Sequence, residues 1–251
     1  WRSDGTTATT VRVTQLRAGS LDGMRAESKQ IAPLPSGVYF AGQNSTSGVE
    51  LFRTTGITIG LFANLAAGAA SSNPRDFCWN SDWLMFTADG ANGTEPFCVA
   101  QGTLQTLDVN PGTASSSPSG YVAYQTGFTQ PVFWFVAQQV SSGSTVTRLL
   151  RYNPFSQSFS VQDTVPVLSR VLFAVGSQVI YLREASLTSV LCGIPGAGGT
   201  PIQLPTNVSS PILSADNVSR ISASPPRMVY TARSSLGGSS ARFRGDGTFA
   251  G

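Results

Sequence analysis

The sequence predicts an all-β protein, a β-propeller of four-stranded antiparallel blades, about five to seven in number. Three observations predict it. Short apolar runs rich in Val, Ile, Phe and Tyr are separated by Gly, Pro, Asn and Ser clusters. No stretch carries a helical period. A short phrase, an apolar strand running into an Asp-Gly or similar turn, returns every 41 to 53 residues.

The phrase opens the chain at Trp1 to Thr6, is repeated from Glu50 to Ile57 and is restated from Ala241 to Thr248. Looser copies run from Glu95 to Thr103, Arg148 to Phe155 and Ser189 to Thr200. The residues that carry it are Trp1, Asp4 and Gly5, then Glu50, Phe52 and Gly56, then Glu95, Phe97 and Gly102, and finally Phe243, Asp246 and Gly247.

One unit is clearest between Asp76 and Ser119. Asp76 to Trp79 reads as a first strand, turned by Asn80, Ser81 and Asp82; Trp83 to Ala88 is an aromatic-rich second. Asp89 to Gly93 allows a hairpin, because Gly tolerates positive φ. Glu95 to Ala100 is a third strand, Gln101-Gly102 a turn, and Thr103 to Val109 a fourth. The connector from Asn110 to Pro118 cannot continue a ladder. The preceding unit overlays on it, with strands at Gly37 to Gly42, Val49 to Thr54 and Thr58 to Leu65, and a matching connector from Ala66 to Pro74. Later units drift. Strands are expected at Val132 to Ala137, Val146 to Tyr152, Val171 to Ala174, Val179 to Arg183, Ser189 to Cys192, Val218 to Ser222, Met228 to Ala232 and Ala241 to Arg244. The organisation is therefore a single propeller over residues 1–251, with blades at about 30–65, 76–109, 120–163 and 169–204 and partial blades at 1–16 and 218–251. Thr7 to Leu16 is expected to complete the C-terminal blade, and the phrase at both ends suggests a segment of a longer polypeptide.

These residues resemble the secreted and surface repeat family with a Glu-Leu-Trp-x-x-Asp-Gly-Thr (ELWxxDGT) consensus. The resemblance is strongest at Trp1 to Thr6, Glu50 to Ile57 and the two Ser-rich connectors, and weakest over residues 145–240. It implies a propeller-type repeat domain of a large exported protein. The consensus Trp is replaced by Phe52, Phe97, Leu150, Leu191 and Phe243, and its Asp by Thr55 and Asn153. Such changes keep an apolar anchor and a turn, which makes the phrase scaffold. The aromatic would wedge between blades, where burying a large ring contributes roughly 2–3 kcal/mol, and the Asp would accept hydrogen bonds from turn amides. Asp89, Asn92 and Glu95 offer too few oxygens for a calcium loop, so a plain hairpin is expected, with no metal and no cofactor.

With 41% hydrophobic and only 12% charged residues, 251 residues suffice for a substantial core. The net charge of +3 is scattered, Lys29 being the single lysine among 16 basic residues, which argues against nucleic-acid binding. No apolar segment is long enough for a membrane-spanning helix. An extracellular or cell-surface location is expected, and Asn44, Asn92, Asn207 and Asn217 head sequons that could carry N-linked glycans, the first two at equivalent hairpin tips. Cys78 and Cys98 fall on the first and third strands of one blade, too far apart for a disulfide, and Cys192 has no local mate. Free buried thiols are expected.

Catalysis finds little support. The chain has no His, which removes Ser/His/Asp and Cys/His chemistry. Two-carboxylate glycosidase chemistry needs only acids. However, Glu50 and Glu95 repeat by blade as structural residues do, and Glu27, Glu184 and Asp22, Asp76, Asp82, Asp108, Asp163 and Asp216 form no evident pair. Arg244-Gly245-Asp246 spells an integrin tripeptide inside a copy of the repeat phrase, where Asp-Gly-Thr is expected anyway. The expected function is a non-catalytic structural or interaction module in a larger surface or filamentous assembly, partnered by protein neighbours, copies of itself among them. A carbohydrate-binding, lectin-like propeller using Trp79, Trp83 and Trp134 is the alternative, although core packing is the better reading of all three. A glycosidase comes third.

Overall fold

A computed structural model describes residues 2–17, 23–24, 30–125, 130–185, 188–204, 212–223, 226–233 and 240–245, with the side chains of residues 188 and 212–245 outside the description. The chain is all-β and built from four-stranded antiparallel sheets of the β-propeller blade type. It divides into two compact units, Trp1–Pro118 and Ser119–Gly251.

In the first unit, β1 (Ile31–Leu34), β2 (Gly37–Gln43), β3 (Val49–Thr54) and β4 (Ile59–Ala63) make one meander, and β5 (Arg75–Asn80), β6 (Trp83–Gly90), β7 (Gly93–Ala100) and β8 (Thr103–Thr106) a second. In the second unit, β9 (Ser119–Tyr124), β10 (Val132–Ser141), β11 (Ser144–Asn153) and β12 (Ser158–Val165) form one sheet. β13 (Arg170–Val175), β14 (Gln178–Ala185), β15 (Thr188–Pro195) and β16 (Ile202–Gln203) form the next. β17 (Ile212–Ala223), β18 (Pro226–Arg233) and β19 (Ser240–Gly245) make a three-stranded sheet.

Turn chemistry closes the hairpins. Gln101 and Gly102 both take positive φ, 49° and 79°, between the paired Ala100 and Thr103, and Ser142 and Gly143 do the same, 51° and 78°, between Ser141 and Ser144. Two positive φ values in a two-residue loop match the right-handed twist of the strands it joins.

The middle strands carry near-continuous apolar runs because both of their faces are covered. In β14, Val179 and Tyr181 enter the core shared with the β9–β12 sheet, while Ile180 and Leu182 enter a second cluster with Val175, Leu191 and Leu204. In the first unit, Tyr39 and Leu51 pack with Leu84, Phe86, Phe97 and Val99 between the two sheets. The outermost strands β4, β8 and most of β12 are half-buried or exposed.

Three expectations are corrected. Thr7 to Leu16 forms no strand; Arg2 and Val11 share only an isolated bridge, because Asp4, Thr6, Thr9 and Thr10 fold the segment onto itself through side-chain hydrogen bonds. The fourth strands are shorter than Thr58 to Leu65 and Thr103 to Val109 imply. Leu65 and Val109 leave their ladders to donate their N–H groups to buried carboxylates. Trp79 is 43% exposed and is no core residue, whereas Trp83 and Trp134 are buried.

Candidate functional site

Glu50 on β3 and Glu95 on β7 sit at equivalent registers, opposite Gly42 and Ala88. Both are buried, at 0% and 2% exposure. The Glu50 carboxylate accepts hydrogen bonds from Leu65 N (2.8 Å), Ala66 N (3.3 Å), Ser72 N (3.1 Å) and Ser72 Oγ (2.6 Å). Glu95 accepts from Val109 N (3.1 Å), Ser116 N (2.7 Å) and Ser116 Oγ (2.7 Å). In each blade a carboxylate ties down the whole connector that leaves the fourth strand.

The twin geometry extends further. Ser72 N and Asn73 N donate to the Val49 carbonyl, and Ser116 N and Ser117 N to the Thr94 carbonyl. Asn73 and Ser117 both take positive φ, 47° and 45°. A buried charge is tolerated only when hydrogen-bonded, and charge-assisted bonds from N–H groups and a hydroxyl supply that here. Burial raises the Glu95 carboxyl above its ordinary value, against the opposing pull of its bonds to Ser116 and Val109. In the later blades the equivalent positions hold Arg148 and Ser189, and no carboxylate clamp forms there among the described residues. The signal was present in sequence as a Glu followed 22 or 21 residues later by a connector Ser, 50 to 72 and 95 to 116.

The remaining motif residues lie around this frame. Phe52 faces Phe40 with ring centroids 6.0 Å apart, and Phe97 stacks on Phe86 at 5.5 Å. Phe97 belongs to the core between the two sheets of its unit. Gly5, Gly56 and Gly102 all take positive φ. Asp4 Oδ1 accepts from Thr6 N at 3.0 Å, and Asn153 Oδ1 from Phe155 N at 3.0 Å, each capping its own turn. Phe243 lies on β19, opposite Tyr230. Trp1, Asp246 and Gly247 lie outside the described residues.

Asp89, Asn92 and Glu95 do not converge. Asp89 accepts from Thr94 Oγ1 (2.7 Å), Asn73 Nδ2 (3.2 Å) and Arg75 (3.2 Å), Asn92 Nδ2 donates to Asp108 (3.2 Å), and Glu95 turns to its connector. Among the described residues no group of three or more His, Cys, Asp or Glu is placed to hold a metal ion. Of the sequons, Asn44 folds its Oδ1 back onto Thr46 and Ser47, from N–H and hydroxyl donors at 2.7–3.1 Å. Asn217 lies on β17 and Asn207 outside the described residues.

No disulfide joins the three thiols. Cys78 pairs with Met85 and Met85 with Cys98, so a full strand separates the two cysteines. Burial raises the Cys98 thiol strongly and pushes Cys192 up to about 11, which removes thiolate nucleophilicity at neutral pH.

Two cavities stand out among the described residues. In the first unit, about 280 Å³ lies between Leu65 and the Gly90–Gly93 hairpin, with Asn92 and Asp108 on its wall. In the second, about 440 Å³ is lined by Tyr124, Gln125, Gln130, Val132, Arg151, Asn153 and Ala197. Sequence reasoning named none of the second set as binding residues. They come from β9, β10 and β11, from positions 125 and 130 between β9 and β10, and from a turn of a different sheet, and only folding brings them together.

No family model and no curated protein matches the chain. Among solved structures it is similar to an alpha-L-arabinanase of Penicillium chrysogenum in complex with arabinobiose (11% identity, TM-score 0.45, 86% of this chain and 75% of that one). It is similar also to the Aleuria aurantia lectin bound to a fucosyl disaccharide (11% identity, TM-score 0.38, 86% and 73%) and to TolB of Acinetobacter baumannii (12% identity, TM-score 0.39, 78% and 48%). Among the described residues no helix is long and apolar enough to cross a membrane.

Proposed function

We propose that this chain is a non-catalytic structural and interaction module of a larger extracellular or surface assembly, with protein neighbours, copies of itself included, as its partners. The observation that carries the proposal is the commitment of Glu50 and Glu95. The two carboxylates that recur by blade are buried and engaged by connector donors, which makes them struts and leaves them unable to present an oxygen to a substrate. The ELWxxDGT-like repeat and the sequon at the Asn44 hairpin tip fit an exported protein. Phe155, Phe159 and Val161, exposed at 71%, 38% and 49% along and beside the edge strand β12, fit protein contact.

Two measurements test this. Incubation with chromogenic glycosides, esters and plant or fungal polysaccharides is expected to give no turnover; hydrolysis abolished by Glu50→Gln or Glu95→Gln in a folded variant would remove the non-catalytic reading. Crosslinking of the native material with mass-spectrometric mapping is expected to connect the chain to neighbours outside the cell. Recovery solely from cytosol, without crosslinks, would remove the assembly reading.

A further inference from the structure

Four arginines among the described residues bury their Nε without a hydrogen-bond partner: Arg53, Arg148, Arg151 and Arg170. Three are satisfied elsewhere on the guanidinium. Arg53 donates to the Ser36 carbonyl, Arg148 to the Thr164 hydroxyl, and Arg170 pairs with Glu184 at 3.2 Å. Arg151 differs, having neither a hydrogen bond nor an ion pair among the described residues. It lines the 440 Å³ cavity of the second unit, where among the described residues no acidic side chain stands with it. A half-buried cation without a counter-charge is costly to hold, and a guanidinium is the group best shaped for a planar anion.

The surroundings restrict what that anion is. Arg151 on β11 lies opposite Trp134 on β10, and Tyr124 on β9 lies opposite Val132, so these residues form the polar end of the apolar core between the β9–β12 and β13–β16 sheets. Asn153 uses its oxygen to cap the turn after β11 at Phe155 and Ser156, so what it offers the cavity is its amide N–H groups. Gln125 and Gln130 add exposed side-chain amides, each able to donate and accept. Val132 and Ala197 supply apolar contact.

The wall is rigid. A Cβ at Gly196 would lie 2.1 Å from the Tyr124 ring, Trp134 Nε1–H donates to the Gly196 carbonyl (3.3 Å), and Gly196 N and Gly198 N donate to Ser177 O (2.9 Å) and Pro195 O (2.8 Å). A preformed cavity of this size suits a small ligand.

We infer that this cavity binds a carboxylate-bearing sugar of the uronic-acid kind, with the Arg151 guanidinium on the carboxylate and the amides of Gln125, Gln130 and Asn153 on the hydroxyls. One cation matches a monoanion, and three neutral amides match a ring of hydroxyls that each donate and accept. The site stands apart from the scaffold role proposed above, and either can fail without the other.

Titration calorimetry of the whole chain with glucuronate and galacturonate tests it, with the methyl ester of glucuronate, glucose, glucose 6-phosphate and acetate as comparisons. The acids are expected to bind at least about tenfold more tightly than the ester or glucose, because the ester keeps the ring hydroxyls but loses the charge and the paired carboxylate oxygens that the guanidinium grips. Arg151→Gln should lose about tenfold or more, and Arg151→Lys should fall between, keeping charge without the fork. Equal binding of acid and ester, equal or tighter binding of acetate or glucose 6-phosphate, or no binding of either uronate overturns the inference. So does unchanged affinity in folded Arg151→Gln. If that variant does not fold, Gln130→Ala, an exposed position, is expected to weaken uronate binding about threefold or more, and an unchanged affinity there overturns it equally.

Discussion

Ser72 donates both its backbone N–H and its hydroxyl to the Glu50 carboxylate, at 3.1 and 2.6 Å, and Ser116 repeats the contact with Glu95 one blade later at 2.7 Å for both. A meander holds its own strands through ladder bonds, but nothing in a ladder fixes the connector to the next sheet. In these two blades a buried carboxylate performs that task.

Removing the clamp should therefore cost more than an ordinary surface substitution. Glu50→Ala or Glu95→Ala leaves buried N–H groups and a hydroxyl without an acceptor and is expected to destabilise by about 2–4 kcal/mol. Glu184→Ala, which breaks the Arg170 pair near the surface, should cost no more than about 1 kcal/mol. Urea unfolding midpoints compare the three. Equal midpoint shifts for Glu95→Ala and Glu184→Ala would refute the clamp.

Close backbone approach sets a second expectation. A Cβ at Gly48 would lie 2.1 Å from the Ala70 carbonyl, and at Gly196 2.1–2.3 Å from the Tyr124 ring. Neither side can yield cheaply, since one is backbone of the clamped connector and the other a packed ring. Gly48→Ala and Gly196→Ala should each lose about 1–3 kcal/mol in thermal unfolding, while Gly60→Ala, which meets nothing within 4 Å, should be near neutral. A neutral Gly48→Ala would contradict the described connector path.

Asp89 gives a pH dependence of defined sign. Burial tends to raise its carboxyl, but hydrogen bonds from Thr94, Asn73 and Arg75 together hold it below its ordinary value of 3.8. A depressed folded value means stability that is present above pH 3.8 and is lost as pH falls through the folded value. Its side chain is 38% exposed, so solvent screening keeps the contribution under about 1 kcal/mol. Wild type and Asp89→Asn should lose part of their stability difference below that pH in chemical denaturation. A difference that stays constant from neutral to acid would exclude the ionised network.

The thiols should separate by accessibility. Cys98 and Cys192 are buried with raised values, and Cys78 is half-buried on the edge strand β5. An aromatic disulfide reagent is expected to modify Cys78 first in the native chain and the other two only on unfolding. Rapid native labelling of Cys98 would contradict its buried placement on β7, between β6 and β8.

The fold class was legible because its signals are local. Trp83 to Ala88 and Val132 to Ala137 are too short and too continuously apolar for anything but inner strands, and Gln101-Gly102 and Asp89 to Gly93 name their own turns. The lengths of β4 and β8 were less legible. Hydropathy carries the pattern to Leu65 and Val109, but a carboxylate on another strand draws those N–H groups out of the ladder. Trp79 was misread for a related reason: an aromatic on the edge strand β5 looks the same in sequence whether or not a neighbour covers it.

By itself the sequence determined the all-β class, the hairpin turns, the recurring Glu and the absence of histidine chemistry, all of which follow from residue type and short spacing. Only the tertiary structure decided that Glu50 and Glu95 act on connector groups 14 to 22 residues away. It alone decided that Arg151 stands without a counter-charge among the described residues, in a cavity that a turn after β15 helps to line. Such relationships join groups distant along the chain, and their energies depend on burial and on which donors arrive, quantities that exist only once the sheets have packed.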